Sequence, residues 1–347
     1  MKIAIITQPL ESNYGGLLQN YALQQILKKM GHSPITFDQT GWIPPFIIRL
    51  KIVLKSLCEL HNPFRLFVKK YIVVSSKAKS ISDFKKFEKK YKPDAYIVGS
   101  DQVWRPKYNI LLDSCFLTFT NSKKKIAYAA SFGTDNWEYT DQATKRYATY
   151  LKSFQAISVR EQSAATLCKE YFGINAQLVL DPTLLLEAKD YQELCIPTNE
   201  YNPYVFTYIL DSADWKQKMV KEFCDNRLCK EVSGFKNMNG DIVGRLTVEE
   251  WISYLKNASF VICDSFHGMV FSILMHRPFV VLANAGRGNT RLSSLLERIG
   301  LSNRLFMGYS DITELPEINW QEIDDCLNTL RCKSILFIKE SLADIRC

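Results

Sequence analysis

The chain has 347 residues, 47% of them hydrophobic and 23% charged, and a formal net charge of +8. At about 150 residues per domain this means two domains with real cores, and it excludes a disordered chain. Ten cysteines and four histidines, with no Cys-x-x-Cys pair, argue against a zinc knuckle, a redox motif or a His-rich metal site.

Residues 2–7 (KIAIIT) read as a buried strand, because a continuous Ile-rich run fits a parallel sheet covered on both faces. The first residues therefore enter a strand directly, without the n- and h-regions of a signal peptide. A polar turn over 8–16 leads into a helix from about Leu17 to Met30, stopped by Gly31. PITFDQ (34–39) completes a βαβ unit, and a basic insertion follows over 42–92. Residues 93–104 and 124–133 each give a strand ending in a polar loop. A helix runs from about Asp141 to Phe154, AISVRE (156–161) is strand then loop, 163–172 is helix, and 177–186 closes the first half. The second half repeats the plan. It has a strand at 201–210, helices at 214–227 and 248–257, and a strand at 258–268 running into a helix that starts near His267. A strand at 276–286, a helix at 290–300 and a helical pattern at 321–340 follow.

Strands alternating with helices of about 10–15 residues predict an α/β fold of doubly wound type. The expected domains are 1–190, carrying the 42–92 insertion, and 200–330, with a helical tail at 331–347. The boundary falls in 187–203, where polar residues cluster with Pro197 and Pro203. Two such domains are expected to face each other across a cleft at the carboxyl ends of their strands, where sheets of this kind bind ligands. No apolar run is long enough to span a bilayer, so a cytoplasmic enzyme with reduced thiols is expected.

The charge is localised. Thirteen basic and three acidic residues between Trp42 and Lys92 make that segment +10, which leaves −2 for the rest. Aromatic and aliphatic residues are threaded through it, as in WIPPFIIRLKIVLKSL and NPFRLFVKKYIVV. Two readings follow. One is a pair of ordinary helices covering a domain edge, with lysines reaching into water. The other is peripheral docking on an anionic membrane, where each charge contributes ~1 kcal/mol. Nucleic acid is not expected, since no recognition fold or RNP-like aromatic pattern accompanies the charge.

Five strand-end segments carry candidate chemistry. In CDSFHG (263–268) a strand ends at Cys263 and a helix begins near His267. Helix N-terminal N–H groups favour phosphate or carboxylate, Ser265 can cap or donate, and Gly268 is a candidate anion-binding position beside it. His267 can supply a proton near neutral pH, or it can be a core histidine satisfied by carbonyls. NYGGLLQNYAL (13–23) offers Asn13, Tyr14, Gly15, Gly16 and Gln19 as a close-approach site for an acceptor or anion, without being a GxGxxG or Walker sequence. In GSDQVW (99–104), Asp101 suits an acceptor hydroxyl or a general base, with Gln102 beside it; an Asx-turn is the plainer reading. Arg160 of VRE can clamp phosphate or carboxylate, or pair with Glu161 or Asp181. ANAGRGNTR (283–291) places Arg287, Asn289 and Arg291 before a helix, as an anion-binding loop would. Cys263 is expected to pack on the sheet rather than to act as a nucleophile. No metal or other cofactor is expected, because the histidine spacing and the carboxylates form no metal motif.

In order along the chain, NYGGLLQNYAL, VGSDQVW, YAASFG (128–133), VRE, LDPTLL (180–185) and CDSFHG followed by VFSILMHRPFVVL resemble the polysaccharide pyruvyl transferase family over about residues 3–300. The resemblance implies two Rossmann-like domains of GT-B type. It also implies transfer of pyruvyl from phosphoenolpyruvate to one or two hydroxyls of a saccharide acceptor, lipid-linked or nucleotide-activated, in the cytoplasm. By the same resemblance His267 is the general acid, Arg160 attends the donor phosphate or carboxylate, and Asp101 lies near the acceptor. The first domain is the acceptor side and the second the donor side. One departure stands out. Many members carry Arg-x-His where this chain has Ser265-Phe266-His267, so a bidentate donor clamp would have to come from Arg287, Arg291 or Arg277. Two other classes fit the same residues: a GT-B-like glycosyltransferase using a nucleotide sugar, and a non-catalytic glycan- or anion-binding protein. The basic insertion in the acceptor domain fits an enzyme working peripherally at the inner face of a membrane.

Overall fold

The computed structural model describes residues 1–11, 13–39, 62–198, 203–238, 242–284, 286 and 288–343, with the backbone alone at 235–238 and 242–245. These fall into two compact units, Met1–Leu185 with Thr329–Cys347, and Leu186–Asn328.

In the first unit β1 (Lys2–Ile6) leads into α1 (Tyr14–Lys29) and β2 (Ser33–Thr36). After the insertion helices α2 (Pro63–Tyr71) and α3 (Ile81–Tyr91) come β3 (Ala95–Val98), β4 (Lys125–Ala130), α4 (Asp141–Leu151), β5 (Ala156–Val159), α5 (Gln162–Leu167) and the short β6 (Gln177–Leu178). The strands form one sheet in the order β2-β1-β3-β4-β5-β6, parallel throughout. Ile3 to Ile6 and all of β3 and β4 are buried, as expected of parallel strands covered on both faces.

Helix α1 starts three residues before the sequence suggests. The Asn13 side chain accepts from Gly15 N at 2.9 Å, and this N-cap draws Tyr14, Gly15 and Gly16 into the first turn despite the poor helix propensity of glycine. The expected strand at 177–186 shortens to β6. Pro182 then opens a 3₁₀ turn over Pro182–Leu185, since proline cannot donate to a ladder.

Of the 42–92 insertion, residues 42–61 lie outside the described residues. The remainder is two amphipathic helices lying on the first unit. Phe64, Phe67 and Val68 of α2 and Phe84 and Phe87 of α3 are buried. The Phe37 and Phe87 rings lie 5.5 Å apart, and those of Tyr14 and Phe64 4.9 Å apart. Arg65 is drawn inward to Asp38 and Glu11, at 3.1 and 2.8 Å, and Lys77 also pairs with Glu11. Lys69, Lys70, Lys79, Lys85, Lys86, Lys89, Lys90 and Lys92 are exposed. No helix among the described residues is long and apolar enough to cross a membrane.

The second unit contains β7 (Tyr204–Tyr208), α6 (Asp214–Arg227), β8 (Lys230–Ser233), the hairpin of β9 (Phe235–Met238) and β10 (Ile242–Arg245), α7 (Val248–Asn257), β11 (Phe260–Cys263), α8 (Phe266–Leu274), β12 (Phe279–Leu282), α9 (Thr290–Arg298) and β13 (Leu305–Phe306). Its parallel sheet runs β13-β12-β11-β7-β8. Strands β8, β9 and β10 carry no apolar run, and periodicity gave no sign of them. Helix α10 (Trp320–Leu342) starts among second-unit residues and from Thr329 belongs to the first unit, so the expected tail is the end of a longer helix.

Candidate functional site

Each unit gathers polar residues where its strands end. In the first unit the loop after β3 is built on Gly99. At its φ of +120° an added Cβ would lie 2.0 Å from the Tyr128 carbonyl oxygen, so only glycine fits. Asp101 follows at φ +72°, in the left-handed region, which Asp tolerates better than most residues. The Arg160 side chain is wholly buried. Its Nη2 donates to Asp101 Oδ1 at 2.9 Å and its Nη1 to Asp181 Oδ2 at 2.7 Å, while Nε stands 3.8 Å from Glu161 Oε2. Burial works against its charge, but the carboxylates of Asp101, Asp181 and Glu161 outweigh burial and raise its pKa. One cation thus sits among three carboxylates.

Those carboxylates also fix the surrounding loops. Glu161 Oε1 accepts from Ser131 Oγ and from the N–H groups of Phe132 and Gly133, which pins the YAASFG loop. Asp181 accepts from Ser100 Oγ at 2.9 Å and from Thr183. Gln19, fully buried, accepts from Ser100 N at 3.0 Å and donates to Thr7 Oγ1 and the Gly16 carbonyl. A Cβ on Gly16 would stand 3.6 Å from Asp101 Oδ2, so the first turn of α1 closely approaches that carboxylate. Gln102 is tied down as well: its carbonyl accepts from Gln8 at 2.6 Å and its side chain from Arg105 at 3.2 Å. The structure therefore brings Gly16, Gln19, Asp101 and Arg160 together through Ser100. Asn13 caps a helix, and Tyr14 packs on Phe64.

In the second unit β11 ends at Cys263, and Ser265 caps α8 by accepting from Gly268 N at 2.8 Å. A Cβ on Gly268 would lie 2.8 Å from Ser265 Oγ and 2.9 Å from Cys263 Cβ, so this glycine lets the helix press onto the strand. His267 stands in the first turn, 6% exposed, edge-on to Phe266 with centroids 5.2 Å apart. Asp264 is the hub. It accepts from Leu210 N at 2.6 Å, Asp211 N at 3.0 Å, Lys216 Nζ at 2.7 Å and Asn284 Nδ2 at 3.1 Å. One carboxylate thus ties together the loops after β7, β11 and β12. Lys216 is itself buried and also donates to the Asp211 carbonyl. Asn289 braces the last of these loops, its Oδ1 accepting from Asn284 N at 2.8 Å. Arg291 is buried in the first turn of α9, and Arg287 lies outside the described residues.

Arg277 does not stand in for the missing motif arginine. It precedes β12, at the sheet edge opposite Ser265, and its guanidinium reaches the carbonyls of Met275 and Ala258. Burial raises the Cys263 thiol pKa far above the usual range, so this cysteine stays a thiol. Among the described residues no group of His, Cys, Asp or Glu is arranged to hold a metal ion.

Sequence reasoning gave no role to Lys216, Asn284 or Asp264. The one available signal was a lysine in the first turn of a helix, where the helix dipole disfavours a cation unless a carboxylate such as Asp264 meets it.

A family model for polysaccharide pyruvyl transferase matches residues 13–286. No curated protein matches the chain in sequence. Among solved structures, UDP-GlcNAc 2-epimerase from Neisseria meningitidis bound to UDP-GlcNAc superposes with a TM-score of 0.54 at 10% identity, covering 99% of both chains. S. aureus MnaA with UDP gives 0.54 at 12% identity, over 99% of this chain and 91% of that one. An α-glucosyltransferase in complex with UDP and DNA gives 0.50 at 9% identity, over 98% and 95%. At these identities the likeness is one of fold: two parallel, Rossmann-like α/β units of GT-B type.

Proposed function

The chain belongs to the polysaccharide pyruvyl transferase family and is a transferase, and from that premise we propose that it moves pyruvyl from phosphoenolpyruvate to the hydroxyls of a saccharide acceptor and closes a cyclic ketal. The observation that carries this reading is His267 in the first turn of α8, directly after a parallel strand and within the matched span. A histidine there can deliver a proton near neutral pH, and the adjoining helix N-terminus favours the phosphate or carboxylate of the donor.

In this reading His267 protonates C3 of the donor, and C2 becomes oxocarbenium-like. One acceptor hydroxyl attacks C2 and passes its proton to Asp101. The C2–O bond to phosphate then breaks, and a second hydroxyl attacks the same carbon, its proton leaving with the phosphate. Two C–O bonds form, one breaks, and the former methylene becomes a methyl group. Arg160 serves as a positioning residue that holds Asp101, because its guanidinium is already engaged by carboxylates. Donor contacts fall to Ser265, Gly268, Asn289 and Arg291, with Arg287 in the same loop. Asn13, Tyr14, Gly15, Gly16, Gln19 and Gln102 shape the acceptor side around Asp101. The exposed lysines of α2 and α3 support a cytoplasmic enzyme that meets a lipid-linked acceptor at an anionic membrane.

Incubation with phosphoenolpyruvate and an oligosaccharide should yield a product heavier by one pyruvyl ketal, with one phosphate released per product. Transfer from a nucleotide sugar instead would overturn the reading in favour of a glycosyltransferase. Flotation with anionic liposomes tests the membrane part separately, and absence of binding at low salt would remove it.

A further inference from the structure

A cavity of about 670 Å³ opens at the amino-terminal edge of the second unit's sheet. Pro203, Ser259, Pro278 and Arg304, which line it, each stand just before a strand. Asp264, Ser265 and His267 follow β11 and so lie at the other edge. The volume falls within the range of about 300–1,000 Å³ usual for small-molecule sites.

Its wall contains a buried arginine with no counter-charge among the described residues. Arg304 is 2% exposed. It donates from Nη2 to the Pro316 carbonyl, while its buried Nε finds no hydrogen-bond partner among the described residues. No carboxylate pairs with it among those residues, and burial alone pulls its pKa below the usual arginine value. A guanidinium does not shed its proton in a protein, so an unpaired one held out of water is costly unless an anion meets it. A second guanidinium, Arg227, lines the same cavity. Among the described residues it is engaged by the Thr313 carbonyl at 3.1 Å and the Phe223 ring at 5.4 Å. The acidic residue of the lining, Glu317, is exposed and pairs with neither arginine. The other walls are largely apolar, with Phe223, Phe260 and Trp320 among them.

We propose that this cavity binds a small organic anion, a carboxylate or phosphate carried on an apolar body, with Arg304 as its charge partner. The planar fork of arginine suits both anions, and the aromatic walls would take the apolar part. The site is independent of the transferase reading, since it shares no residue with it.

Calorimetric titration of the full chain with phenyl phosphate and hexanoate, against phenol and hexanamide, tests the proposal. At least one anion should bind and slow amide hydrogen exchange over 302–318, and its neutral counterpart should not. Comparing the two anions tells phosphate from carboxylate. Arg304→Gln should weaken the binding about tenfold or more. Arg304→Met should raise the melting temperature of the ligand-free protein, because it removes an uncompensated buried charge. The proposal fails if neither anion binds, if the neutral probes bind equally well, or if protection appears only over 263–291. It also fails if Arg304→Gln binds as the wild type does, or if Arg304→Met lowers the melting temperature. Should the variants not fold, the probe comparison and the exchange map on the wild-type chain still decide it.

Discussion

After β5 in the first unit and after β11 in the second, two strand-end clusters carry inverted charges. Around Arg160 one cation is enclosed by Asp101, Asp181 and Glu161. Around Asp264 one carboxylate is enclosed by Lys216, Asn284 and two backbone N–H groups. The first cluster carries more carboxylate than its cation offsets, which suits a partner that offers hydroxyl protons. In the second, the buried charges balance and the adjacent helix terminus can face an anion. The same Rossmann-like plan thus supports two opposite electrostatic surroundings, and the difference comes from which single charge is placed at the hub.

The inversion has energetic consequences. Arg160→Met should cost about 3–5 kcal/mol in urea denaturation, because it strands three buried carboxylates. Asp264→Asn keeps one acceptor oxygen and strands only the single buried ammonium of Lys216, and should cost less, about 2–3 kcal/mol. Equal costs would mean that the inversion has no weight in stability. Kinetics sharpen the comparison next. His267→Ala should lower turnover at least ~10²-fold with acceptor binding retained, and near-wild-type turnover would remove it from the acid role. Asp101→Asn should impair use of the acceptor more than of the donor, read as separate kcat/KM values for the two substrates.

Smaller effects distinguish the glycines that open α1 and α8. Gly268→Ala drives a Cβ to 2.8 Å from Ser265 Oγ and should cost about 1–3 kcal/mol by overpacking. Gly16→Ala meets Asp101 Oδ2 at an ordinary 3.6 Å, so the better helix propensity of alanine should leave stability level or raise it by up to about 1 kcal/mol. Activity would still fall if Asp101 needs that open face. A Gly16→Ala variant less stable than Gly268→Ala would reverse the reading of both turns.

What could be read in the sequence, and what could not, divides along the range of the interactions. The strand ends at Ile6, Val98, Val159 and Cys263 were legible because continuous apolar runs stop at polar turn residues. The start of α8 was legible because Ser265 is a good cap. The surroundings of Arg160 were not. Asp101 lies 59 residues before it and Asp181 21 after it, and nothing local separates an ion pair from a donor clamp. Lys216 and Asp264 are 48 residues apart and posed the same difficulty. At Gly15 and Gly16 propensity pointed to a loop, and the Asn13 cap overrode it. The basic insertion left two readings open, helices covering a domain edge and membrane contact; at Phe64, Phe67, Phe84 and Phe87 the aromatic residues face the core, because the rings pack on Tyr14, Tyr21 and Phe37.

The smallest effect belongs to the surface of the first unit, where a carboxylate is again held by several donors, as Asp264 is, but in water. Asp83, in the first turn of α3, accepts from Lys79 N, Lys86 Nζ and Ser80 Oγ. Those contacts, the Lys79 N–H foremost, bring its pKa down to about 2. Because this lies below the unfolded value of about 4, the stabilisation is fully present above that value and is lost as pH falls toward 2. The stability gap between wild type and Asp83→Asn, measured by urea denaturation, should therefore be constant above about pH 5 and close as the pH falls to about 2. A gap that persists unchanged at the lowest pH would show that the side-chain shape at position 83, and not its charge, stabilises the first turn that Ser80 caps. The contrast between solvated and buried carboxylate hubs would then lose its exposed member.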